Sequence, residues 1–389
     1  MVNTYQRGII LSAGGHTPFI PHIPYEKVLN QIRDGIYITD TKNKIIFWNH
    51  GAEELTGIHR DDVLGHLCKS VLKISIKDRM NSSLCESNNC PLNQAMRNDN
   101  SFIYPHLVFF QTSWGRIPIS LSVGPLHNDQ GEIIGGISVF RDMSDEYRQR
   151  KLAGEIQRKM ITLEKIKQNG LLIDTYYSPV DEIGGDFLEA FFLDNKNLVA
   201  TIADATGHGI SASLFTVIYK TLLHASFNRS QAPSAVLNNV NKGFLETAQI
   251  DGYYLTAMMV NFNPVTMRGS LASAGHPPAL IFKKNNKGYE LRSSIKTQSL
   301  MIGIDQYADY YDIDFYLSPG EIMLLASDGM YEAQCSDGKA FGQEGLEDFL
   351  KHYTGYDLLR DLSHHIQKRS KYLELIDDLS LLKIEVLNQ

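Results

Sequence analysis

Four short acidic motifs, each at the end of an apolar strand-like run, constrain this chain more tightly than anything else in it. They are Glu182-Ile183-Gly184-Gly185-Asp186-Phe187, Val199-Ala200-Thr201-Ile202-Ala203-Asp204-Ala205-Thr206-Gly207-His208-Gly209, Met323-Leu324-Leu325-Ala326-Ser327-Asp328-Gly329 and Ile376-Asp377-Asp378-Leu379-Ser380-Leu381-Leu382. The last runs into Lys383-Ile384-Glu385-Val386, which reads as a closing strand. Acids at the exits of several hydrophobic strands converge at one end of a sheet. In a low-dielectric site they repel one another unless a cation stands among them. Ligation by aspartate oxygens suits magnesium or manganese, whereas zinc prefers histidine or cysteine. Glycines beside Asp186, His208 and Asp328 let the backbone approach a metal or a phosphate closely. The chemistry that such a site supports is hydrolysis, in which two ions activate a water and neutralise a phosphoryl group. Taken singly the motifs say little, because Asp-Gly is above all a turn signal.

At 389 residues the chain is long enough for two or three domains. Its 43% hydrophobic content builds real cores, and its net charge of −7 lacks the basic excess of a nucleic-acid-binding protein. No segment offers the roughly 18 uninterrupted apolar residues of a membrane-spanning helix, so no membrane insertion is expected. Residues 1–23 read as a loose leader without the apolar length of a secretory signal. Four cysteines do not make a disulfide framework, and a reducing cytoplasm is the plain expectation.

Residues 24–145 read as a small α+β domain. A helical start over Tyr25 to Ile32 leads into Gly35-Ile36-Tyr37-Ile38-Thr39, a polar turn, and Ile45-Ile46-Phe47-Trp48, a predicted hairpin. Asn49 caps a helical stretch carrying Ala52, Leu55 and Ile58. Three further strands are predicted over Ile103 to Gln111, Arg116 to Val123 and Glu132 to Phe140, the last two joined by the turn Asn128-Asp129-Gln130-Gly131. The stretches Gly35 to Asp40, Ile46 to Asn49, Ala52 to Gly57 and Gly136 to Asp142 resemble a PAS sensor domain. That resemblance implies a five-stranded antiparallel sheet with helices, used for sensing or dimerising or serving as a spacer; no PAS ligand is identified. His66, Cys68, Cys85 and Cys90 place four soft ligand types in one stretch, suited to a metal or a redox switch. Their spacing is not that of a zinc module, and plain buried thiols are the bland alternative. Over 146–168 the apolar residues Leu152, Ile156, Met160, Leu163 and Ile166 advance by about 3.5 on average, the period of a coiled-coil seam. A helical linker joining two copies of the chain is therefore expected, with a single surface helix as the alternative.

In order along residues 169–389, Gly184-Gly185-Asp186-Phe187, Asp204 to Gly209 followed by Ala212, Ser273-Ala274-Gly275-His276-Pro277-Pro278, Ser327 to Ala333 and Asp377-Asp378 resemble the SpoIIE-type branch of the metal-dependent protein phosphatases, relatives of protein phosphatase 2C. The resemblance implies an α-β-β-α sandwich with a dimetal site of manganese or magnesium, and a water attacking phosphorus in line without a phosphoenzyme. It makes Asp204 the bridging ligand, with the Ala205 carbonyl beside it. Asp328 and Asp377 become ligands of the second ion, and Asp186 completes the cluster. Gly185, Gly207, Gly329 and Asp378 are supporting residues. His208 either protonates the leaving oxygen or braces its loop, and His276, between Gly275 and Pro277, is structural. No residue matches the phosphate-binding arginine of the larger eukaryotic phosphatases. The diguanylate-cyclase signature is not matched, since Phe187 stands where it needs an acid. A non-catalytic scaffold, or a phosphatase of small molecules, is the remaining alternative. A PAS domain, a helix and a SpoIIE-type phosphatase in that order resemble bacterial partner-switching regulators. Their substrate is a phosphorylated STAS-type anti-anti-sigma protein, and dimers are expected.

Overall fold

The computed structural model describes residues 24–388 apart from 77–83, 87–89, 106, 113–114, 162–163, 194–195, 208, 228–231, 249, 251 and 371–376. The leader predicted over 1–23 lies outside the described residues. The chain divides into two units, one ending at Tyr147 and the other beginning at Arg148.

The first unit contains α1 (Tyr25–Asn30), β1 (Gly35–Asp40), β2 (Ile45–Trp48), α2 (His50–Thr56), α3 (Arg60–Val63), α4 (Cys68–Val71), β3 (Ile74–Ile76), α5 (Pro91–Asn98), β4 (Phe102–Ile103), β5 (Val108–Thr112), β6 (Gly115–His127) and β7 (Ile133–Asp142). Among the described residues its antiparallel sheet runs β2-β1-β7-β6-β5-β3, with β4 on β6. The five expected strands are β1, β2, β5, β6 and β7, and two short ones are added. The strand expected over Ile103 to Gln111 splits into β4 and β5, with Pro105 between them, which has no N–H to give to a ladder. Tyr37, Trp48, Phe110 and Phe140 pack their rings together in the core. Asn49 does more than cap α2. Its Oδ1 accepts from Ile36 N at 2.7 Å and Ala52 N at 2.9 Å, while Nδ2 donates to Leu29 O, Ile32 O and Asp34 O at 3.0 to 3.2 Å. One fully buried amide thus ties the end of α1 to β1 and α2.

A single helix, α6 (Ser144–Met160), follows β7. It is shorter than the expected 146–168. Ile166 belongs instead to β8 (Ile166–Gln168), which pairs with β9 (Leu171–Ser178). Asn169 and Gly170 both have positive φ, 53° and 76°, and close a two-residue hairpin that a helix cannot continue through. Leu163 lies outside the described residues. Of the expected seam, Leu152 and Ile156 are exposed, whereas Gly154 and Gln157 on the other side are buried.

The second unit continues with β10 (Asp186–Leu193), β11 (Asn197–Ala205), α7 (Ile210–Phe227), α8 (Pro233–Ala248), β12 (Leu255–Asn263), β13 (Arg268–Ala274), β14 (Ala279–Asn285), β15 (Gly288–Ile295), β16 (Ile313–Tyr316), β17 (Glu321–Ala326), α9 (Asp328–Glu332), α10 (Gly342–Lys351), α11 (Leu358–Arg369) and β18 (Leu379–Val386). Its sheets are antiparallel, ordered β10-β11-β12-β13-β16 and β15-β14-β17-β18-β9-β8. Strand alternation separates the faces. On β11, Thr201 points to α7, where its hydroxyl meets that of Tyr219 at 2.7 Å. Leu198, Ala200, Ile202 and Asp204 point the other way, into the core shared with Met323 and Leu325 of β17 and Leu382 and Ile384 of β18. Leu280, Leu324, Ala326 and Leu381 face outward beneath α9, α10 and α11. The result is an α-β-β-α sandwich. Helix α7 is long and apolar enough to cross a membrane by length and composition. Yet Ala212, Phe215, Tyr219 and Leu223 are buried in this core, as in a core helix of a sandwich.

Both tryptophans of the chain, Trp48 and Trp114, precede Tyr147, so tryptophan fluorescence reports the first unit. Asn49→Ala should lower that unit's stability in urea titrations by about 2–4 kcal/mol, through the lost cap and the carbonyls left without a donor.

Candidate active site

Antiparallel pairing brings the acids together. Asp186 opens β10 and Asp204 stands next to last in β11, and they are direct cross-strand partners, followed by Thr256 on β12. Directly opposed residues share a face, so all three point into the seam between the sheets. The second sheet contributes Asp328, the first residue of α9 after β17, and Asp377 and Asp378, just ahead of β18. Sequence reading set every acid at a strand exit. In the structure Asp186 and the Asp377-Asp378 pair stand at strand starts, because starts and ends alternate along one edge of an antiparallel sheet.

The acids fall into two kinds. Asp378 is fully engaged: Oδ1 accepts from Val180 N at 2.7 Å and Oδ2 from Gly185 N at 2.6 Å, which fastens the loop leading to Asp186. Asp186 is buried, and its Oδ2 has no hydrogen-bond partner. Burial, then the nearby charges of Asp204 and Asp378, hold its carboxyl well above the usual range. Burial pushes Asp204 up to about 8, with Asp328, Asp377 and Asp378 adding to the effect. Asp328 rises to about 6 through burial and then Asp377 and Glu332. Burial also raises Asp378, against the pull of the Val180 and Gly185 amides.

A set of oxygen ligands that suppress one another's ionisation, one with an unpartnered buried oxygen, fits a divalent cation in chemistry. Among the described residues, however, no three His, Cys, Asp or Glu side chains stand as a ready-made metal-holding group. Ala205 closes β11 and donates its N–H to Gly185 O at 3.1 Å. A Cβ on Gly185 would lie 2.8 Å from Ala205 O, and one on Gly329 would lie 2.0 Å from Asp378 O, so both positions require glycine for the close approach. Gly207 turns the loop after β11 at φ 86°. His208 lies outside the described residues.

His276 is buried, and its Nδ1 meets Thr256 Oγ1 at 2.8 Å. Burial lowers its pKa to about 3, so it is neutral. It therefore braces β12 beside Asp204. Of the Cys and His group in the first unit, Cys68 and Cys90 are buried and Cys85 is half-buried, while His66 is exposed.

Two further residues serve the site. Gln157 of α6 is buried, donates from Nε2 to Gly184 O at 2.7 Å and accepts from Gly184 N at 3.2 Å. The Tyr177 hydroxyl donates to the same Gln157 oxygen at 3.2 Å. A buried glutamine thus holds both backbone groups of the residue two before Asp186. In the sequence the family resemblance already extends to the helical lead-in around Gln157 and to Tyr177-Ser178-Pro179. Ser327 links the acids of the second sheet, donating to Asp378 O at 3.1 Å and accepting from Ser380 N at 3.0 Å. A cleft of about 270 Å³ is lined by Arg150, Asp181, Ile183, Gly209, Ile210 and Ser211, beside the loop after β11.

Residues 194–387 match the family described as Stage II sporulation protein E (SpoIIE), and residues 33–145 match the PAS domain. Phosphoserine phosphatase RsbU of Bacillus subtilis (strain 168) is 28% identical over 189 residues, 48% of this chain and 55% of its own. Phosphoserine phosphatase RsbP of the same organism is 26% identical over 192 residues, 49% of this chain and 46% of its own. The chain spans about half the length of the curated relatives it matches. Among solved structures, the SiaA-PP2C domain of Pseudomonas aeruginosa superposes with a TM-score of 0.52 at 20% identity, covering 62% of this chain and 96% of that one. That is a likeness of fold.

Gln157→Ala leaves the Gly184 amide groups unpaired and should destabilise the second unit by about 1–3 kcal/mol in calorimetry, and Gln157→Glu, which sets a carboxylate oxygen against Gly184 O in a buried place, should lose at least as much. The raised acids predict a pH dependence. Asp204 and Asp328 bind protons more tightly folded, near 8 and 6, than at their ordinary 3.8. The stability this contributes is fully present below the unfolded value and is lost as pH rises through 6 and 8. In chelator, melting temperature should fall between about pH 5 and pH 8, and Asp204→Asn should flatten that fall. Manganese should raise it more at pH 8 than at about pH 5.

Proposed function

We propose, from a chain that belongs to the SpoIIE family over residues 194–387 and carries a PAS domain over residues 33–145, that it is a metal-dependent protein serine/threonine phosphatase under PAS control. The observation that carries this reading is the cross-strand pair of buried Asp186 and half-buried Asp204, near Asp328 and Asp377, with the Asp186 Oδ2 unpartnered. Asp186, Asp204, Asp328 and Asp377, with the Ala205 carbonyl, would hold two divalent ions, manganese or magnesium. When bound, such ions supply an activated water and neutralise the phosphoryl charge. The chain's own residues do the positioning. Asp378 and Gln157 fix the loop on either side of Gly184, so that Asp186 meets the seam at one angle. The cleft beside the loop after β11, where Arg150 is paired with Asp181 at 3.5 Å, offers an approach for a phosphorylated segment. His208 is positioned in sequence to protonate the leaving serine or threonine oxygen. Neutral His276 is not a proton donor at physiological pH.

Two of the relatives are named phosphoserine phosphatases, which supports a phosphoserine-bearing substrate. We take it to be a phosphorylated STAS-type anti-anti-sigma protein in the cytoplasm. Helix α6 follows β7 with one residue between them and carries Gln157 in its fourth turn, and its exposed Leu152 and Ile156 suit a second copy of the chain. A signal that turns α6 in such a dimer would move Gln157 and, with it, the Asp186 loop.

The test is phosphate release from a serine-phosphorylated STAS domain with manganese, with magnesium and with chelator. Release should need metal and fall by on the order of a hundredfold or more in both Asp204→Asn and Asp328→Ala. Release that is indifferent to chelator and to both substitutions would overturn the assignment.

A further inference from the structure

The last turn of α6 is fastened from outside at its final residue as well as at Gln157. The Lys220 ammonium of α7 donates to Met160 O at 2.7 Å, and Met160 ends the helix. The final carbonyls of a helix have no partner within it, and a cation beside them also meets the negative end of the helix dipole. Here that cation comes from a different helix. The same ammonium pairs with Glu189 Oε1 at 2.9 Å, while His224, one turn further along α7, meets Glu189 Oε2 at 2.8 Å. Lys220 also lies over the Phe187 ring, 5.5 Å from its centroid, and the His224 ring stacks on Phe191. Glu189 is buried, so its charge needs these partners. Phe187 and Glu189 belong to β10, the strand that Asp186 opens. Side chains alternate along a strand, so Glu189 faces α7 while Asp186 faces the seam between the sheets. Lys220 thus stands on the far side of β10 from the acids and acts on them through what it holds.

What it holds is the end of a helix already attached to the loop before Asp186. Gln157, three residues ahead of Met160, takes both backbone groups of Gly184. Three residues earlier again, a Cβ on Gly154 would collide with Glu182 O, so α6 lies directly against that loop. Ile161, just past the helix, is buried in the core. We propose that Lys220 is a positioning residue for the acid cluster: by tying the last carbonyl of α6 to Glu189 of β10, it holds Gln157 on Gly184 and so keeps Asp186 where a divalent ion can be received. The inference rests on the metal-dependent reading above and adds to it a residue that stands outside the acid motifs. The strand that begins at Asp186 and the loop that leads to it are both fixed to one turn of one helix. Without the ammonium, Met160 O loses this donor and Glu189 loses one of its two partners. The final turn of α6 is then free to rotate and to carry Gln157 with it.

The experiment is manganese binding to the full chain by isothermal titration calorimetry, with melting of the metal-free chain followed beside it. Lys220→Met should weaken manganese binding by on the order of tenfold, as loss of an outer partner of a metal site does. Gln157→Ala should weaken it to a similar degree. The double variant should bind no more weakly than the weaker single one, because both substitutions break one attachment. Lys220→Arg, which keeps a cation with N–H donors, should recover most of the loss. Arg292→Met is the control: it removes the same charge from an ion pair of like length, 2.9 Å to the buried Glu321 in the second sheet. It should lower the melting temperature and leave manganese affinity unchanged. Lower melting of Lys220→Met with unchanged affinity would make the lysine merely structural and overturn the proposal. Losses that multiply in the double variant, or an equal loss in Arg292→Met, would overturn it too. A wild-type chain that takes up no manganese would overturn the metal-dependent reading itself, and the inference with it. Where Lys220→Met does not fold, Glu189→Gln keeps the lysine and removes the charge that orients it; a loss of affinity there supports the proposal and no loss overturns it.

Discussion

Carboxylates repel one another most where water cannot screen them, and the second unit is arranged around acids placed in such a spot. Asp186 and Asp204 share a cross-strand position facing the seam between two sheets, and burial alone drives both toward the protonated form. Asp328 and the Asp377-Asp378 pair add charge from the opposite sheet. Nothing in the hydrophobic packing of the sandwich gains from this arrangement. It is a local cost carried by the large core behind it, where Leu198, Ile202, Met258 and Leu382 are fully buried.

What keeps the acids in place despite the repulsion is a division of labour among neighbouring polar groups. Asp378 gives both oxygens to backbone amides and fastens the loop before Asp186. Gln157 holds the same loop from α6, and Ser327 holds the backbone of Asp378 and Ser380. Thr256 and neutral His276 brace the next strand across. With the backbone so held, Asp186 can keep an oxygen without a partner, a cost of roughly 1–3 kcal/mol that a purely structural residue has no reason to carry. Preorganised backbone around unsatisfied acids is the pattern of a binding site for a cation rather than of a salt-bridge network.

The first unit solves a different problem with similar means. Its sheet must be joined to short helices that bury little of their own surface, and the Asn49 amide makes five hydrogen bonds that α1, β1 and α2 converge upon. The ring cluster of Tyr37, Trp48, Phe110 and Phe140 fills the space beneath. The same core also packs the thiols of Cys68 and Cys90, with Cys85 half-buried against it.

Much of this was legible in the residues. Alternating apolar runs marked β1, β2, β6, β7, β11 and β17, and Asn49 announced its helix as a cap does. The motif order carried the family, because each acid-bearing motif stands next to strands whose pairing brings it to one edge. Local patterning could not settle what depends on partners distant in sequence. The heptad-like spacing through Ile166 lost to an Asn169-Gly170 hairpin, whose strand gains a ladder and a core that the helix would not have had. That Asp186 starts a strand while Asp204 ends one followed only from their antiparallel pairing. Gln157 reaches Gly184 across 27 residues, and Asp378 reaches Gly185 across 193. The sequence by itself determined which acids are candidates for the site and which apolar runs flank them. The tertiary structure alone decided which acid is braced and which is left open, since hydrogen-bond satisfaction in a buried place depends on what the rest of the chain brings there.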